Sequence, residues 1–146
     1  MKLRDLLIAS QGKLSECGIT DSVRDARLLL AGCLDIQTSQ LNLLDDNFPS
    51  KIVVSKFWKM IDERCKRKPV SKILGYRSFW GRDFEINEKV LDPRGDTETL
   101  VELILDCNFD TLLELGTGSG AIAITILAEC PDCLLYTSPS PRDVEE

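Results

Sequence analysis

The sequence LLELGTGSGAIAI occupies residues 112–124. It combines a short apolar run, a turn with three glycines and a run of helix-forming apolar residues, an order that predicts strand, loop and helix. Glycine lacks a Cβ, so the turn can adopt unusual backbone angles and a ligand can approach its backbone closely. The following helix offers free N–H groups in its first turn. We therefore predict a nucleotide-type cofactor loop at residues 116–120.

Two common types of glycine loop fit this stretch poorly. A phosphate-binding P-loop requires Lys and then Ser or Thr after its last glycine, and Ala121 and Ile122 stand there instead. A dinucleotide fingerprint is formally satisfied by Gly116, Gly118 and Ala121, but it also requires a carboxylate about 20 residues later, at the end of the next strand. That position falls near Tyr136, in a segment that does not read as a strand.

A methyl-donor loop of the E/D-x-G-x-G-x-G type fits more closely. Glu114 stands two positions before Gly116, and Gly120 completes the glycine triplet. In such a loop the glycines leave room for the amino-acid end of S-adenosylmethionine, and backbone N–H groups act as donors. Taken alone, this motif indicates a mononucleotide-like cofactor half-fold and does not name the reaction.

Upstream of the glycine loop, the pattern predicts a hairpin and a loop-to-helix junction. Aromatic-rich segments flank Gly-Arg-Asp at residues 81–83, which predicts a β-hairpin with its turn there. In residues 90–98 (VLDPRGDTE), proline and glycine exclude a continuous strand, and Asp96 or Thr97 is predicted to cap the next helix. The polar side chains of Arg94, Asp96 and Thr97 are either a cap with its salt partner or contributors to the cofactor site.

The first half of the chain carries apolar residues at helical spacing. The pattern predicts a small helical bundle of four helices and a further turn at residues 70–74. The first helix is predicted at residues 3–17, the second from a cap at Asp21 or Ser22 to Leu34, the third from Thr38-Ser39 through Leu44, and the fourth from Pro49-Ser50 to Pro69. Its apolar positions are core residues, to which we assign no chemistry.

Composition is that of an ordinary globular chain of 146 residues, 43% hydrophobic and 29% charged. No apolar run is long enough to span a membrane, and the first residues do not resemble a secretion signal. Six scattered cysteines suit reduced thiols better than a disulfide framework. Because the chain has no histidine and only one CxxC, we predict no metal site.

Charge is distributed unevenly along the chain. The net charge is −6, yet the first half has a basic excess and the second half an acidic one, which favours two structural units. The basic excess includes Arg64, Lys66, Arg67 and Lys68. It is either a solvated helix end or a docking surface for an acidic or RNA-associated partner.

Three segments together resemble the HemK/PrmC family, the protein-glutamine methyltransferases that act on class-1 peptide chain release factors. They are GYRSFWGRDF at residues 75–84, VLDPRGDTE at 90–98 and LGTGSGAIA at 115–123. They occur in the family's order and spacing, after an N-terminal helical region of matching length.

The resemblance implies an N-terminal helical bundle, a β-hairpin linker and the first part of a Rossmann-like class I S-adenosylmethionine-dependent methyltransferase domain. It implies a release-factor-docking domain at residues 1–75, the linker at 76–92 and an incomplete methyltransferase domain at 93–133. The cofactor S-adenosyl-L-methionine is expected at Gly116, Thr117, Gly118, Ser119 and Gly120. Glu114 is expected to support this loop, with Arg94, Asp96 and Thr97 as further contributors. A cytoplasmic protein is implied, with a release factor as partner and without direct DNA binding, membrane or metal.

The sequence departs from the family pattern in several places. The family's Pro-Arg-Pro-Glu-Thr-Glu loop appears as Pro-Arg-Gly-Asp-Thr-Glu at residues 93–98, and Glu114 replaces the commoner aspartate. The substrate motif Asn-Pro-Pro-Tyr is missing, because no asparagine is followed by proline. The acidic ribose-binding residue is missing as well. We therefore name no catalytic residue and expect this chain itself to be inactive.

Residues 134–146 no longer resemble the family. They read as an unrelated or disordered tail, as if the gene were cut near residue 134 and a foreign sequence joined on; a natural Ser/Pro-rich tail is the alternative. Two other functions remain open. One is a non-catalytic helical docking module attached to an unfinished cofactor domain, and the other is a fragment of a nicotinamide-dependent oxidoreductase.

Overall fold

A computed structural model describes residues 1–137. The chain divides into two compact units, Met1–Leu74 and a second unit that begins at Gly75. The predicted tail from residue 138 onward lies outside the described residues.

The first unit is helical, as the spacing of its apolar residues predicts. Its elements are α1 (Leu3–Glu16), α2 (Ser22–Leu34), a 3-10 helix (Thr38–Leu44), α3 (Lys51–Cys65) and α4 (Val70–Leu74). Helix α3 begins where Ser50 Oγ accepts a hydrogen bond from the N–H of Val53 at 3.3 Å, a typical N-cap.

The core of the first unit lies between α1, α2 and α3. Phe57 and Ile61 lie on α3 and are fully buried, as are Leu6 and Leu14 on α1 and Leu29 on α2. Because these side chains recur at intervals of three or four residues, each helix presents one apolar face to the others. Hydrophobic burial is therefore the main stabilising contribution to this unit.

Charged side chains reinforce the packing of α3. Arg64 Nε lies 2.7 Å from Oδ2 of Asp25, a largely buried carboxylate on α2. Lys66 and Lys68 both pair with Glu63, at 3.0 and 3.8 Å. The basic segment at the end of α3 is therefore partly neutralised by carboxylates of its own unit, as expected for a solvated helix end.

The cysteines differ from the sequence prediction, which was wrong in treating all six as free thiols. Cys17 and Cys65 form a disulfide, with Cα atoms 5.5 Å apart. Cys17 directly follows α1 and Cys65 ends α3, so helix packing brings together two residues that are 48 positions apart. Cys33, Cys107, Cys130 and Cys133 are free.

The second unit begins with an antiparallel hairpin of β1 (Tyr76–Phe79) and β2 (Arg82–Glu85). Its turn is Trp80–Gly81, with φ of +51° and +71°, and not Gly81–Asp83 as predicted. A two-residue turn of this hand needs positive φ at both positions, so Arg82 and Asp83 become available to pair in β2. Phe79 and Phe84 pack edge to face, with ring centroids 6.1 Å apart.

The remainder of the second unit consists of two helices and two parallel strands: α5 (Gly95–Leu105), β3 (Thr111–Glu114), α6 (Ala121–Glu129) and β4 (Leu134–Thr137). Strand β3 pairs with β4 in register Thr111↔Leu134, so β3, α6 and β4 form a β-α-β unit. Phe79, Phe84, Val101, Ala121 and Ile126 form one core, which joins the hairpin to α5 and α6.

Strand β4 contradicts the expectation that residues 134–137 form no strand. The N–H of Leu134 donates to the carbonyl of Asp110 at 2.8 Å, and the pairing continues from there along β3. The run Leu-Leu-Tyr-Thr has β-forming side chains and follows a helix end, so it reaches the neighbouring strand readily. Within residues 1–137, no helix is both long and apolar enough to cross a membrane.

We expect residues 1–74 to fold alone, because every buried residue of their core lies between Leu3 and Ile61. Circular dichroism of this fragment should show a cooperative helical melt.

Replacing the fully buried Phe57 by Ala should lower the free energy of unfolding by about 3–5 kcal/mol, because burial is lost and a cavity is left behind. Ile52→Ala, at an exposed position of α3, is the matched control and should change it by less than about 0.5 kcal/mol. A random-coil spectrum of the fragment, or equal costs for both variants, would contradict this assignment of the core.

Candidate functional site

The glycine loop joins the end of β3 to the start of α6. Gly116, Gly118 and Gly120 all have positive φ, at +72°, +58° and +78°. A Cβ placed on Gly116 would meet nothing within 4 Å, and one on Gly118 only the Gly116 carbonyl at 4.0 Å. The surface above these two glycines is therefore open to a ligand, as predicted for a loop whose backbone is approached closely.

Gly120 has a different role within the same loop. It is buried and forms the N-cap of α6, and its N–H donates to the Thr117 carbonyl at 2.9 Å. A Cβ there would lie 3.1 Å from Cδ1 of Ile124. Gly120 thus closes the turn against α6, and the first helical N–H groups after it have no acceptor within the helix. Such N–H groups, at the positive end of the helix dipole, suit a carboxylate or another electron-rich group.

Glu114, the last residue of β3, is a half-buried carboxylate beside this loop. Among residues 1–137, neither its Oε2 nor Thr117 Oγ1 has a hydrogen-bond partner, although both atoms are buried. Burial raises the pKa of Glu114, and the nearby Thr117 side chain offsets part of that effect. The loop therefore carries two polar atoms whose hydrogen-bonding capacity is unused.

The junction before α5 differs from the sequence prediction. Helix α5 begins at Gly95 with Arg94 as its N-cap residue, so the prediction that Asp96 or Thr97 caps this helix was wrong. The cause is that the chain leaves its extended conformation directly after Arg94, and the N–H of Thr97 then bonds to the Arg94 carbonyl at 3.0 Å. Arg94 and Asp96 are exposed. Within the described part of the chain, no hydrogen bond or ion pair joins these three residues to the glycine loop.

Two carboxylates that the sequence analysis passed over fix the hairpin. Glu98 Oε1 on α5 accepts a hydrogen bond from the N–H of Trp80 at 2.9 Å. Glu129 Oε1 at the end of α6 pairs with Arg82 Nη2 at 3.2 Å. The acidic character of Glu98 was visible in the sequence, but its acceptor role depends on the positive φ of Trp80, which no local pattern predicts.

We next consider a surface cavity and possible metal ligands outside the glycine loop. A surface cavity of about 540 Å³ in the first unit is lined by residues that include Arg27 and Thr38. Arg27 Nη2 donates to the Thr38 carbonyl and to Asn42 Oδ1, each at 3.1 Å, so both N–H groups of this nitrogen are engaged. Residues 1–137 contain no group of three or more His, Cys, Asp or Glu side chains that could hold a metal ion.

We expect Glu114→Gln to alter how the stability of the second unit depends on pH. A carboxyl whose folded-state pKa is raised binds its proton more tightly when folded, so stability is lost as pH rises through that pKa. The Gln variant should therefore match the parent in acid and become more stable than the parent as pH rises. Thermal melts followed by Trp80 fluorescence, in a Trp58→Phe background, would measure this unit. Glu102→Gln, at an exposed position of α5, is the control. Parallel pH profiles for Glu114→Gln and its parent would contradict the expected coupling.

Comparison with known proteins agrees with the three motifs. Residues 5–75 match the model of the PrmC N-terminal domain. The chain is 43% identical over 132 residues to a release factor glutamine methyltransferase of Cereibacter sphaeroides, an alignment that covers 90% of this chain and 47% of that protein. It is 38% identical over 132 residues to the protein of the same name from Rhodospirillum rubrum, covering 88% of this chain and 41% of the relative.

A more distant similarity, 27% over 175 residues, links the chain to a bifunctional methyltransferase of Rickettsia felis, with 99% of this chain and 33% of that protein covered. The chain thus spans less than half the length of these relatives. The matched N-terminal domain, the similarity over most of the chain and the glycine loop lead to one assignment. The chain belongs to the HemK/PrmC family of release factor glutamine methyltransferases.

Proposed function

We propose that this chain is the N-terminal part of an S-adenosylmethionine-dependent enzyme that methylates the side-chain amide of a glutamine in a class-1 peptide chain release factor. The observation that carries the proposal is the loop of three positive-φ glycines between β3 and α6, beside Glu114. This loop lies within the region that is 43% identical to a named release factor glutamine methyltransferase.

The residues of the loop suit S-adenosylmethionine. The open surface at Gly116 and Gly118 admits a ligand to the backbone, and the first N–H groups of α6 can donate to its carboxylate. The unused Oε2 of Glu114 can accept from an ammonium or hydroxyl group. A cation beside Glu114 would also favour its ionised form and thus counteract the effect of burial on its pKa.

The chemistry needs alignment more than acid–base assistance. The bound donor supplies a methyl group already activated on a sulfonium, so the protein has to hold donor and amide nitrogen in line and exclude water. We assign Gly116 to Gly120 to donor binding and no residue of this chain to catalysis. Under this proposal residues 1–75 form the domain that docks the release factor, and residues 76–92 connect it to the next domain. Residues 93–133 form the first part of a Rossmann-like methyltransferase domain. The protein is cytoplasmic under the same proposal.

A non-catalytic docking module is the main alternative. It is favoured by the self-contained core of residues 1–74. Donor binding distinguishes the two, because a pure docking module has no use for the open glycine loop. The nicotinamide alternative predicts that a dinucleotide competes with S-adenosylmethionine, which the same titration would detect.

We expect Gly118→Val to abolish donor binding in a chimera that joins residues 1–133 to the C-terminal part of the Cereibacter sphaeroides relative. A β-branched side chain disfavours positive φ and occupies the open surface. Calorimetry should show a loss of affinity on the order of a thousandfold or more.

The control for this variant is Gly81→Val. Gly81 has a similar φ of +71° and equally open surroundings, but it lies in the hairpin turn. The Gly81→Val substitution imposes comparable backbone strain and should leave the affinity for S-adenosylmethionine within about threefold of that of the parent chimera. If Gly118→Val binds as well as Gly81→Val, the loop is not the donor site.

We also expect the 146-residue chain by itself to leave a release factor unmethylated. The Asn-Pro-Pro-Tyr motif that would orient the glutamine amide is missing from its sequence. Mass spectrometry of a release factor incubated with the purified chain and S-adenosylmethionine should show no added methyl group, whereas the chimera should add one. Methylation by the chain alone would refute this expectation.

A further inference from the structure

The ends of α1 and α3 are joined by three neighbouring contacts, which we call the α1–α3 seam. Lys13 pairs with Asp62, Cys17 is bonded to Cys65, and Arg67 Nη1 donates to the Gly18 carbonyl at 3.0 Å. In sequence, the disulfide lies between the two polar contacts at both helix ends. All three contacts belong to the first unit.

The seam ends at a basic turn, Lys66-Arg67-Lys68. Arg67 has a φ of +71°, a backbone conformation that costs free energy for a residue with a side chain. The turn follows Cys65 directly, and Lys66 and Arg67 are exposed. The cross-link therefore fixes the chain two residues before a positive-φ position.

We expect the first unit to keep its fold without this cross-link. Its buried core is formed by apolar side chains of α1, α2 and α3, and both bonded cysteines are only half-buried at its edge. The disulfide is accordingly within reach of an external thiol. Cys33 provides the contrast, because it is buried within the same unit and burial raises the pKa of its thiol.

We propose that Cys17 and Cys65 form a reversible redox site that controls how firmly the basic turn Lys66–Lys68 is held. In the oxidised state the cross-link and the Arg67 contact act together. In the reduced state the α1–α3 seam keeps its two exposed polar contacts, and contacts of that kind stabilise weakly. The ion pairs of Lys66 and Lys68 with Glu63 and the hydrogen bond from Arg64 Nη1 to the Lys68 carbonyl lie within α3 and the turn, so they do not join the turn to α1. The turn then opens more often, while the helices stay folded.

The exchange uses a low-molecular-weight thiol and its disulfide, of the glutathione class. A thiolate of the external thiol attacks one sulfur of the Cys17–Cys65 bond, forming a mixed disulfide and releasing the other cysteine as a thiolate that takes up a proton. A second external thiolate then displaces the remaining cysteine. The protein gains two electrons and two protons, and the external thiols become one disulfide; oxidation runs the same steps in reverse.

Equilibration of the full 146-residue chain in glutathione buffers of graded reduced-to-oxidised ratio tests the proposal. After quenching with iodoacetamide, peptide mapping measures the fraction of Cys17 cross-linked to Cys65. In parallel samples, freed of glutathione without exposure to air, limited trypsin digestion measures cleavage after Lys66 and Arg67. Cleavage should be on the order of tenfold faster in the reduced state, because it follows the population of the locally opened chain.

Two variants define the origin of the effect. Cys17→Ser with Cys65→Ser should cleave at the reduced rate in every buffer, and circular dichroism verifies that it is folded. Cys33→Ser should respond to glutathione like the parent. The proposal is overturned if the parent chain forms no Cys17–Cys65 cross-link at any ratio, or if its oxidised and reduced forms are cleaved at the same rate. Neither of these two measurements requires a variant to fold.

Discussion

The second unit depends on a backbone that bends back on itself between residue 115 and residue 120. Three residues of that bend occupy the left-handed region, where a side chain is strained, and all three are glycine. The bend sets where α6 begins, and α6 in turn returns the chain so that β4 can lie parallel to β3. It also buries one oxygen of Glu114 at its rim. One steric requirement, glycine at these three left-handed positions, therefore underlies the strand pairing, the placement of α6 and the electrostatics of the candidate site.

The first unit obeys a different constraint. Its helices contain few special backbone positions, and their arrangement follows from apolar faces that exclude water together. Polar contacts such as Arg64–Asp25 act on an arrangement that burial has already determined. The fold of the first unit thus depends on apolar residues spaced along its helices. The fold of the second unit depends on a few glycines with unusual backbone freedom.

This difference explains what could be predicted from the sequence. Helical periodicity predicted the helices of the first unit, and the glycine spacing predicted the strand, loop and helix of the second, since both signals are local. The Cys17–Cys65 bond, the acceptor role of Glu98 and the strand at residues 134–137 all depend on partners distant in sequence. The N-cap of α5 was misplaced because several adjacent polar residues could each have capped the helix. The strand–loop–helix order of the candidate site was predictable. The burial of Glu114 Oε2 and Thr117 Oγ1 without a hydrogen-bond partner among residues 1–137 was not.

The parallel pair of β3 and β4 has a consequence for the behaviour of the chain in solution. Parallel strands are ordinarily covered on both faces, yet Leu113, Leu115, Leu134 and Tyr136 are all more than half exposed. Strands of this kind, with unpaired edge groups and apolar side chains in water, are templates on which other chains add. A second chain or another layer of structure that packs on the β3–β4 pair would remove this apolar surface from water, so we expect association of the protein to begin at its second unit.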